Sequence, residues 1–169
     1  MFGFLRFAQE SVPGITRGLG IRNSHDKSLR FSLAAGGHVV ICDNLLVGGS
    51  MVIHRKHTAG IVVEELVTGA FDKLAEEFEK LELNIEKMKS MRLDGDEARI
   101  AVVKAAEIKA IPSCDIIPVR DGFLEPQHEE FREPTRWSLY NSFTETAKKY
   151  SPARADQCYQ RLAKMFGLA

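Results

Sequence analysis

Seven apolar residues recur between positions 67 and 88 at alternating steps of four and three. They are Val67, Phe71, Leu74, Phe78, Leu81, Ile85 and Met88. This is the a/d pattern of an amphipathic helix, and it predicts one long helix over about 58–90 with Thr58 as its N-cap. The seam must be covered, either by the rest of the same chain or by a second copy in a homodimer. We favour packing within the chain, because a second predicted helix follows directly.

The chain upstream of this helix is rich in β-forming residues and glycine. Residues 29–55 contain three β-rich runs, and the glycine pairs at 36–37 and 48–49 are interpreted as the turns between them. Residues 12–20, which contain proline and glycine, are interpreted as a loop. We therefore predict a small antiparallel sheet of about three strands within residues 29–55.

The second predicted helix opens with a capping-box pattern formed by Asp94 and Glu97. Pro112 is expected to end it, and its apolar side is expected to consist of Ile100, Val103 and Ile108. Residues 113–134 are interpreted as irregular.

Two more helices are predicted near the end of the sequence. One starts near Thr135, and the other follows Ser151 and Pro152 and ends at Gly167. The fold class is therefore α+β, with a small antiparallel sheet followed by a bundle of about four helices. We expect a single domain over 1–169, with a β-rich part over 1–57 and a helical part over 58–169.

Composition limits the possible function classes. The formal net charge is zero, which argues against a protein that coats duplex nucleic acid. Charge is unevenly distributed, because residues 1–60 hold seven Lys or Arg against three Asp or Glu. The three cysteines are too few and too scattered for a disulfide framework or a zinc knuckle, and no stretch approaches the ~20 apolar residues that span a membrane. We expect a cytoplasmic protein without a bound cofactor, a metal or a membrane contact.

The predicted junction between the last strand and the long helix is basic. A helix N-terminus with fixed cations can bind phosphate or another anion, although an ordinary capped helix with solvated charges remains an alternative. The candidate residues are Arg22, Lys27, Arg30, Arg55, Lys56, His57 and Thr58.

A second group of residues offers acid–base chemistry. His25 and Asp26, with His57, could act as a general base oriented by a carboxylate, and His54 and His57 have a spacing that could hold a metal. Structural roles for these side chains are the competing interpretation, because no nucleophile motif accompanies them. We favour the structural roles and expect no metal.

A third group of polar residues lies at strand ends and on the third predicted helix. Trp137, Tyr140 and Phe143 are expected in the core, so that Asn141 and Glu145 on the other side of their helix can bond to the polar end of the sheet. The expected polar cluster is Asn23, Asp43, Asn44, Asn141 and Glu145.

The order of four short motifs resembles a known family. NSHD at 23–26, VICDNL at 40–45, RKHT at 55–58 and RWSLYNSFTETAK at 136–148 resemble the phage/plasmid-like family of domain of unknown function 932. The resemblance implies an accessory role in a phage, plasmid or other mobile element of a bacterial host, and it carries no described reaction. Members have a longer region before the NSHD-like motif, so we expect a short or N-terminally truncated member.

Three hypotheses of function follow, and they belong to different classes. The first is a non-enzymatic protein that binds nucleic acid through the basic junction. The second is a protein that binds and inhibits a host defence system, with the acidic helix face at 64–86 as its contact surface. The third is a small hydrolase or nuclease, with or without a metal, that uses His25, Asp26 and His57.

Overall fold

The computed structural model describes residues 2–23, 30–42, 44–55, 68 and 71–168; for residues 2, 45–52, 54–55 and 71–72 it describes the backbone alone. Four strands form one antiparallel sheet in the order β1-β2-β3-β4. They are β1 (Phe2–Val12), β2 (Ile15–Arg22), β3 (Phe31–Val39) and β4 (Asn44–Arg55). Five described α-helices follow: α1 (Phe71–Ser90), α2 (Gly95–Glu107), α3 (Ile116–Leu124), α4 (Arg136–Ala147) and α5 (Pro152–Phe166). The predicted α+β class is confirmed.

The first two strands form a hairpin where the sequence indicated a loop. Val12 pairs with Ile15 across the turn Pro13-Gly14, and Gly14 has a φ of +78°. Proline at the first turn position and a glycine with positive φ at the second are the residues that a tight turn requires, so these punctuating residues mark a hairpin here.

The two glycine pairs lie inside strands and not in turns as predicted. Gly36 and Gly37 belong to β3, where they face Gly18 and Arg17 of β2, and the pair at 48–49 belongs to β4. Strand β3 ends instead at Val39, and β4 begins at Asn44. Glycine within a strand lets the neighbouring strand approach closely. The prediction of turns did not consider this role of glycine.

Helix α1 packs on one face of the sheet, with the buried seam that its heptad pattern predicts. Leu74 and Phe78 contact the cluster of Phe31, Leu33 and Ile53, and the next seam residues join the main core of the helices. The buried seam residues are Leu74, Phe78, Leu81, Ile85 and Met88, each at most 6% exposed. The seam is thus covered within the chain. The side chains buried there are the same ones that a homodimer across the seam would use. Thr58 and Val67 lie outside the described residues.

Helix α2 begins as predicted but packs through a different face. Asp94 accepts hydrogen bonds from the amides of Asp96 and Glu97, and the Glu97 side chain completes the capping box. The predicted apolar side is wrong, because Ile100, Val103 and Ile108 are exposed, whereas the buried residues are Ala98, Val102 and Ala105. Small side chains allow a closer approach of the neighbouring elements, and their burial is not visible in a search for large apolar residues.

The region 113–134 is more regular than its sequence predicts. It contains α3 and two short 3₁₀ turns, Ser113–Asp115 and Glu129–Phe131. Pro118 lies in the first turn of α3, where its missing N–H costs no helical hydrogen bond. This position explains why a proline that indicates irregular structure is compatible with a helix.

The last two helices complete the core. Helix α4 is buried along most of its length, and Trp137, Tyr140 and Phe143 are at most 5% exposed, as predicted. Helix α5 packs against β4, has Pro152 in its first turn and ends at Gly167, whose φ of +76° is the left-handed conformation of a C-terminal cap.

Candidate functional site

The strand register brings three arginines to one end of the sheet. Arg22, the last residue of β2, pairs with Ser32, and Arg55, the last residue of β4, pairs with Phe31. Arg30 immediately precedes β3 and has an exposed side chain. Paired residues on neighbouring strands lie about 5 Å apart, so the backbones of the three arginines lie within a few residue spacings of one another. We call this end of the sheet, defined by Arg22, Arg30 and Arg55, the basic end.

One of the three arginines is already paired within the chain. Arg22 Nε donates to Asp156 Oδ1 of α5 at 2.7 Å, and both side chains are largely buried. Arg22 therefore contributes to the joining of sheet and helix, which the sequence did not indicate.

Arg17, on the opposite face of β2, is also paired. Its guanidinium donates to both carboxylate oxygens of Glu82 in α1, at 2.6 and 3.0 Å, and lies 5.3 Å from the centre of the Phe78 ring. The hydrogen bond from Arg17 lowers the pKa of the Glu82 carboxyl, and its bond to Glu82 raises the pKa of Arg17. The acidic face of α1 is thus partly neutralised from within the chain.

Several predicted site residues cannot be located in this fold. His25, Asp26, Lys27, Asp43, Lys56, His57 and Thr58 lie outside the described residues, and His54 and Arg55 are described by their backbone alone. The proposed catalytic group and most of the proposed anion site therefore stay predictions. In the part of the chain that is described, no three His, Cys, Asp or Glu side chains form a group that could hold a metal ion.

Two members of the predicted polar cluster meet at the other end of the sheet. Asn44 Nδ2 donates to the backbone carbonyl and to Oδ1 of Asn141, at 3.2 and 3.1 Å, and both asparagines are 2% exposed. Lys148 donates to the backbone carbonyl of Cys42 and pairs with Glu145 at 2.6 Å. These contacts fasten the turn between β3 and β4 to α4.

Asn23 is far from this contact along the strands. It follows Arg22 at the basic end, whereas Asn44 begins β4 at the opposite end. Strand β3, which runs between the two ends, has nine residues and is about 30 Å long, so the two ends form separate sites and Asn23 does not join Asn44 and Asn141.

The comparisons with known proteins identify the family. The sequence model of the family described as Domain of unknown function (DUF932) matches residues 6–166. The chain belongs to this family. A search of curated proteins and a search of solved structures each found no significant match. The predicted family is confirmed, and the mobile-element role stays a prediction.

In this DUF932 chain, the residues that sequence reasoning missed surround Asn141. A cleft of about 170 Å³ lies beside the Asn44–Asn141 contact, and its walls include Ser138, Ser142 and His128. The sequence did contain a signal for Ser138 and Ser142, because positions 138, 141, 142 and 145 are all polar and lie on one face of the helix. His128 comes from a separate segment, and no local pattern links it to α4.

The sequence has no stretch that could span a membrane, and the described helices were compared with that prediction. None of them combines the length and the apolar character that a membrane-crossing helix requires.

Proposed function

We propose that the chain is a non-enzymatic binding protein that contacts nucleic-acid phosphates at the basic end of its sheet, in an accessory role in a phage, plasmid or other mobile element. The observation that supports this proposal is the strand register, which pairs Arg55 with Phe31, the residue next to Arg30. Lys27 and Lys56 lie within three residues of them in the sequence. Clustered cations that neutralise phosphates release counterions, and this release drives nucleic-acid binding.

The ion pairs narrow the set of residues that would contact phosphate. Arg22 is engaged by Asp156, and Arg17 is engaged by Glu82 on the other face of β2, so neither guanidinium is fully available. Arg30 is exposed and is therefore the strongest described candidate. A localised patch of this kind is compatible with a net charge of zero for the chain.

The test is fluorescence anisotropy with labelled single- and double-stranded oligonucleotides at two salt concentrations. We expect salt-sensitive binding by the natural protein. The double substitution Arg30→Ala and Arg55→Ala should weaken binding to all sequences and reduce the slope of log affinity against log salt by about 2, one for each lost phosphate contact.

The matched control replaces two exposed arginines on other elements, Arg99→Ala and Arg132→Ala. Each forms a pair with an acidic residue three positions before it. This variant should bind as the natural protein does. Absence of binding at micromolar protein and low salt would overturn the proposal, as would an equal loss in the control, and the search would then turn to a host protein as partner.

A further inference from the structure

A groove of about 700 Å³ lies beside the turn of the first hairpin, and we call it the hairpin groove. It is at the end of the sheet where Ile15 pairs with Val39, away from the basic end. Its apolar walls come from three segments, namely the hairpin, the chain that leaves β3, and the part between α3 and α4 with the start of α4. The apolar residues that define the groove are Pro13, Ile15, Val40, Ile41, Phe131 and Trp137.

The exposed part of this apolar lining is the pair Val40 and Ile41. These consecutive residues lie in the turn after β3 and are 43% and 44% exposed. Turns of this kind are usually built from Gly, Pro, Asn, Asp or Ser. A single exposed apolar residue is ordinary, but two that continue the apolar walls of a groove form a contiguous surface. Surfaces of this kind are typical of binding sites.

The charged residues of the groove give it a negative sign. Those among the described residues are Glu10, Lys89, Glu130 and Glu133. Lys89 donates to Glu86 at 3.0 Å, and the partner lies outside the lining. Glu133 is 3.4 Å from Arg92, which also lies outside the lining. One positive and one negative charge of the groove are therefore already paired, and the two remaining charges are both carboxylates.

These two carboxylates have no cation as a partner in the described part of the chain. Glu10 accepts a hydrogen bond from the amide of Gly14 at 3.0 Å, which is a neutral donor and leaves the charge of Glu10 uncompensated. Glu130 is exposed and forms no ion pair with a described residue. The groove thus attracts a cationic group and repels an anion such as the phosphate of a nucleic acid.

Apolar walls with an acidic rim complement a segment that has the opposite rim. Protein interfaces combine an apolar centre with a polar rim in the same way. Thirteen described residues line the groove, whereas a stable contact between two globular proteins involves about 20–30 residues on each side. The fit is therefore to a short segment. We propose that the hairpin groove binds a short peptide segment of another protein in which large apolar side chains are flanked by lysine or arginine.

The first test measures the binding of four dye-labelled peptides to the full chain by fluorescence anisotropy. The peptides share a Gly-Ser frame and have the cores Lys-Leu-Phe-Lys, Ser-Leu-Phe-Ser, Glu-Leu-Phe-Glu and Lys-Ser-Ser-Lys. We expect the first core to bind most tightly. The second should bind about fivefold more weakly because two exposed ion pairs are lost, and the fourth at least about tenfold more weakly because no apolar side chain is buried.

The acidic core, Glu-Leu-Phe-Glu, should bind least among the three peptides that contain Leu-Phe, because its charges repel those of the groove. Absence of binding by the Lys-Leu-Phe-Lys core at hundreds of micromolar protein would overturn the proposal. Equal binding of the acidic core would overturn it as well.

The second test removes the two unpaired carboxylates. Glu10→Gln with Glu130→Gln should weaken binding of the Lys-Leu-Phe-Lys core about fivefold and leave the Ser-Leu-Phe-Ser core unchanged. Glutamine at position 10 keeps an oxygen that accepts from Gly14, so the turn is preserved. The matched control is Glu107→Gln with Glu125→Gln, two exposed residues outside the lining, and it should change neither peptide. Equal losses in the two variants would contradict the assignment to this groove.

The third test removes the exposed apolar pair. Val40→Ser with Ile41→Ser should weaken both peptides that contain Leu-Phe about tenfold, and circular dichroism checks the fold of the variant. The control is Ile100→Ser with Val103→Ser, two exposed apolar residues of α2 outside the lining, which should bind as the natural protein does. Unchanged binding by the folded Val40 and Ile41 variant would contradict the proposal. If that variant does not fold, the carboxylate substitutions decide.

Sedimentation velocity distinguishes a second copy of the chain as the occupant. A monomer that binds the Lys-Leu-Phe-Lys core supports the proposal. A dimer that becomes a monomer in the Val40→Ser and Ile41→Ser variant would show that another copy covers the groove, and would overturn it.

This proposal does not depend on the proposed nucleic-acid function. The hairpin groove and the basic end lie at opposite ends of β2 and β3. The Arg30 and Arg55 substitutions should therefore leave peptide binding unchanged, and the Glu10 and Glu130 substitutions should not weaken oligonucleotide binding. Failure of one proposal is thus distinguishable from failure of the other.

Discussion

At the residue scale, the Arg17 guanidinium is held by both carboxylate oxygens of Glu82 and by the face of Phe78. The hydrogen bond from Arg17 lowers the pKa of Glu82 in the folded protein. A carboxyl whose pKa is lower in the folded state stabilises the fold above its ordinary pKa, and this contribution disappears as the pH falls through the folded value. Because Arg17 is 40% exposed, the contribution is about 1 kcal/mol or less.

We therefore predict that Glu82→Gln lowers the free energy of unfolding at neutral pH by up to about 1 kcal/mol. The difference from the natural protein should shrink as the pH falls below the carboxyl range. Urea unfolding across a pH series measures it, and Glu107→Gln, an exposed residue of α2, is the control. A difference that stays constant down to acidic pH would contradict the role given to this pair.

At the scale of elements, α1 offers two large apolar residues on opposite faces. Ile85 is fully buried in the main core, whereas Leu83 is 72% exposed. We predict that Ile85→Ala lowers the free energy of unfolding by 2–5 kcal/mol, roughly the cost of a cavity at a buried aliphatic residue. Leu83→Ala should change it by about 0.5 kcal/mol or less. Comparable losses in the two variants, measured by urea unfolding, would mean that the helix is not oriented as described.

The types of residue in each element explain why some helices and strands could be predicted from the sequence and others could not. The seam of α1 is visible because large apolar residues at heptad spacing have few alternatives to a helix. The buried face of α2 is missed because it is built from alanine and valine, and the extent of β3 is missed because glycine pairs indicate turns more often than close strand contacts. The Asn44–Asn141 contact was expected from their polarity, but the remaining walls of the cleft come from segments that no local pattern connects.

At the scale of the whole molecule, α1 joins two apolar clusters. Leu74 and Phe78 belong to the cluster on the sheet, whereas Leu81, Ile85 and Met88 belong to the main core. That core holds most of the buried helical residues together with Val12, Ile15 and Val39 of the sheet. One rigid helix that contributes to both clusters should couple their unfolding, because neither cluster can lose its part of α1 independently.

We predict a single cooperative unfolding transition. Trp137, the one tryptophan of the chain, reports on the helical core, and far-ultraviolet circular dichroism reports on all elements. Phe78→Ala, a change in the sheet cluster, should destabilise both signals equally by about 3–5 kcal/mol. Two separate transitions, with only one of them shifted by the substitution, would show that the clusters unfold independently.

The Arg22–Asp156 pair has a consequence for how the chain folds while it is being synthesised. The face of the sheet that carries Arg22 and Ser32 meets α5, which leaves the ribosome about 100 residues after β4. At roughly 5–20 residues per second, that face waits on the order of 5–20 s for its covering helix. Its side chains include Thr16, Ser32 and His38, which water can solvate during that interval. We therefore expect the polarity of this face to reduce aggregation of the nascent sheet until translation reaches the last helix.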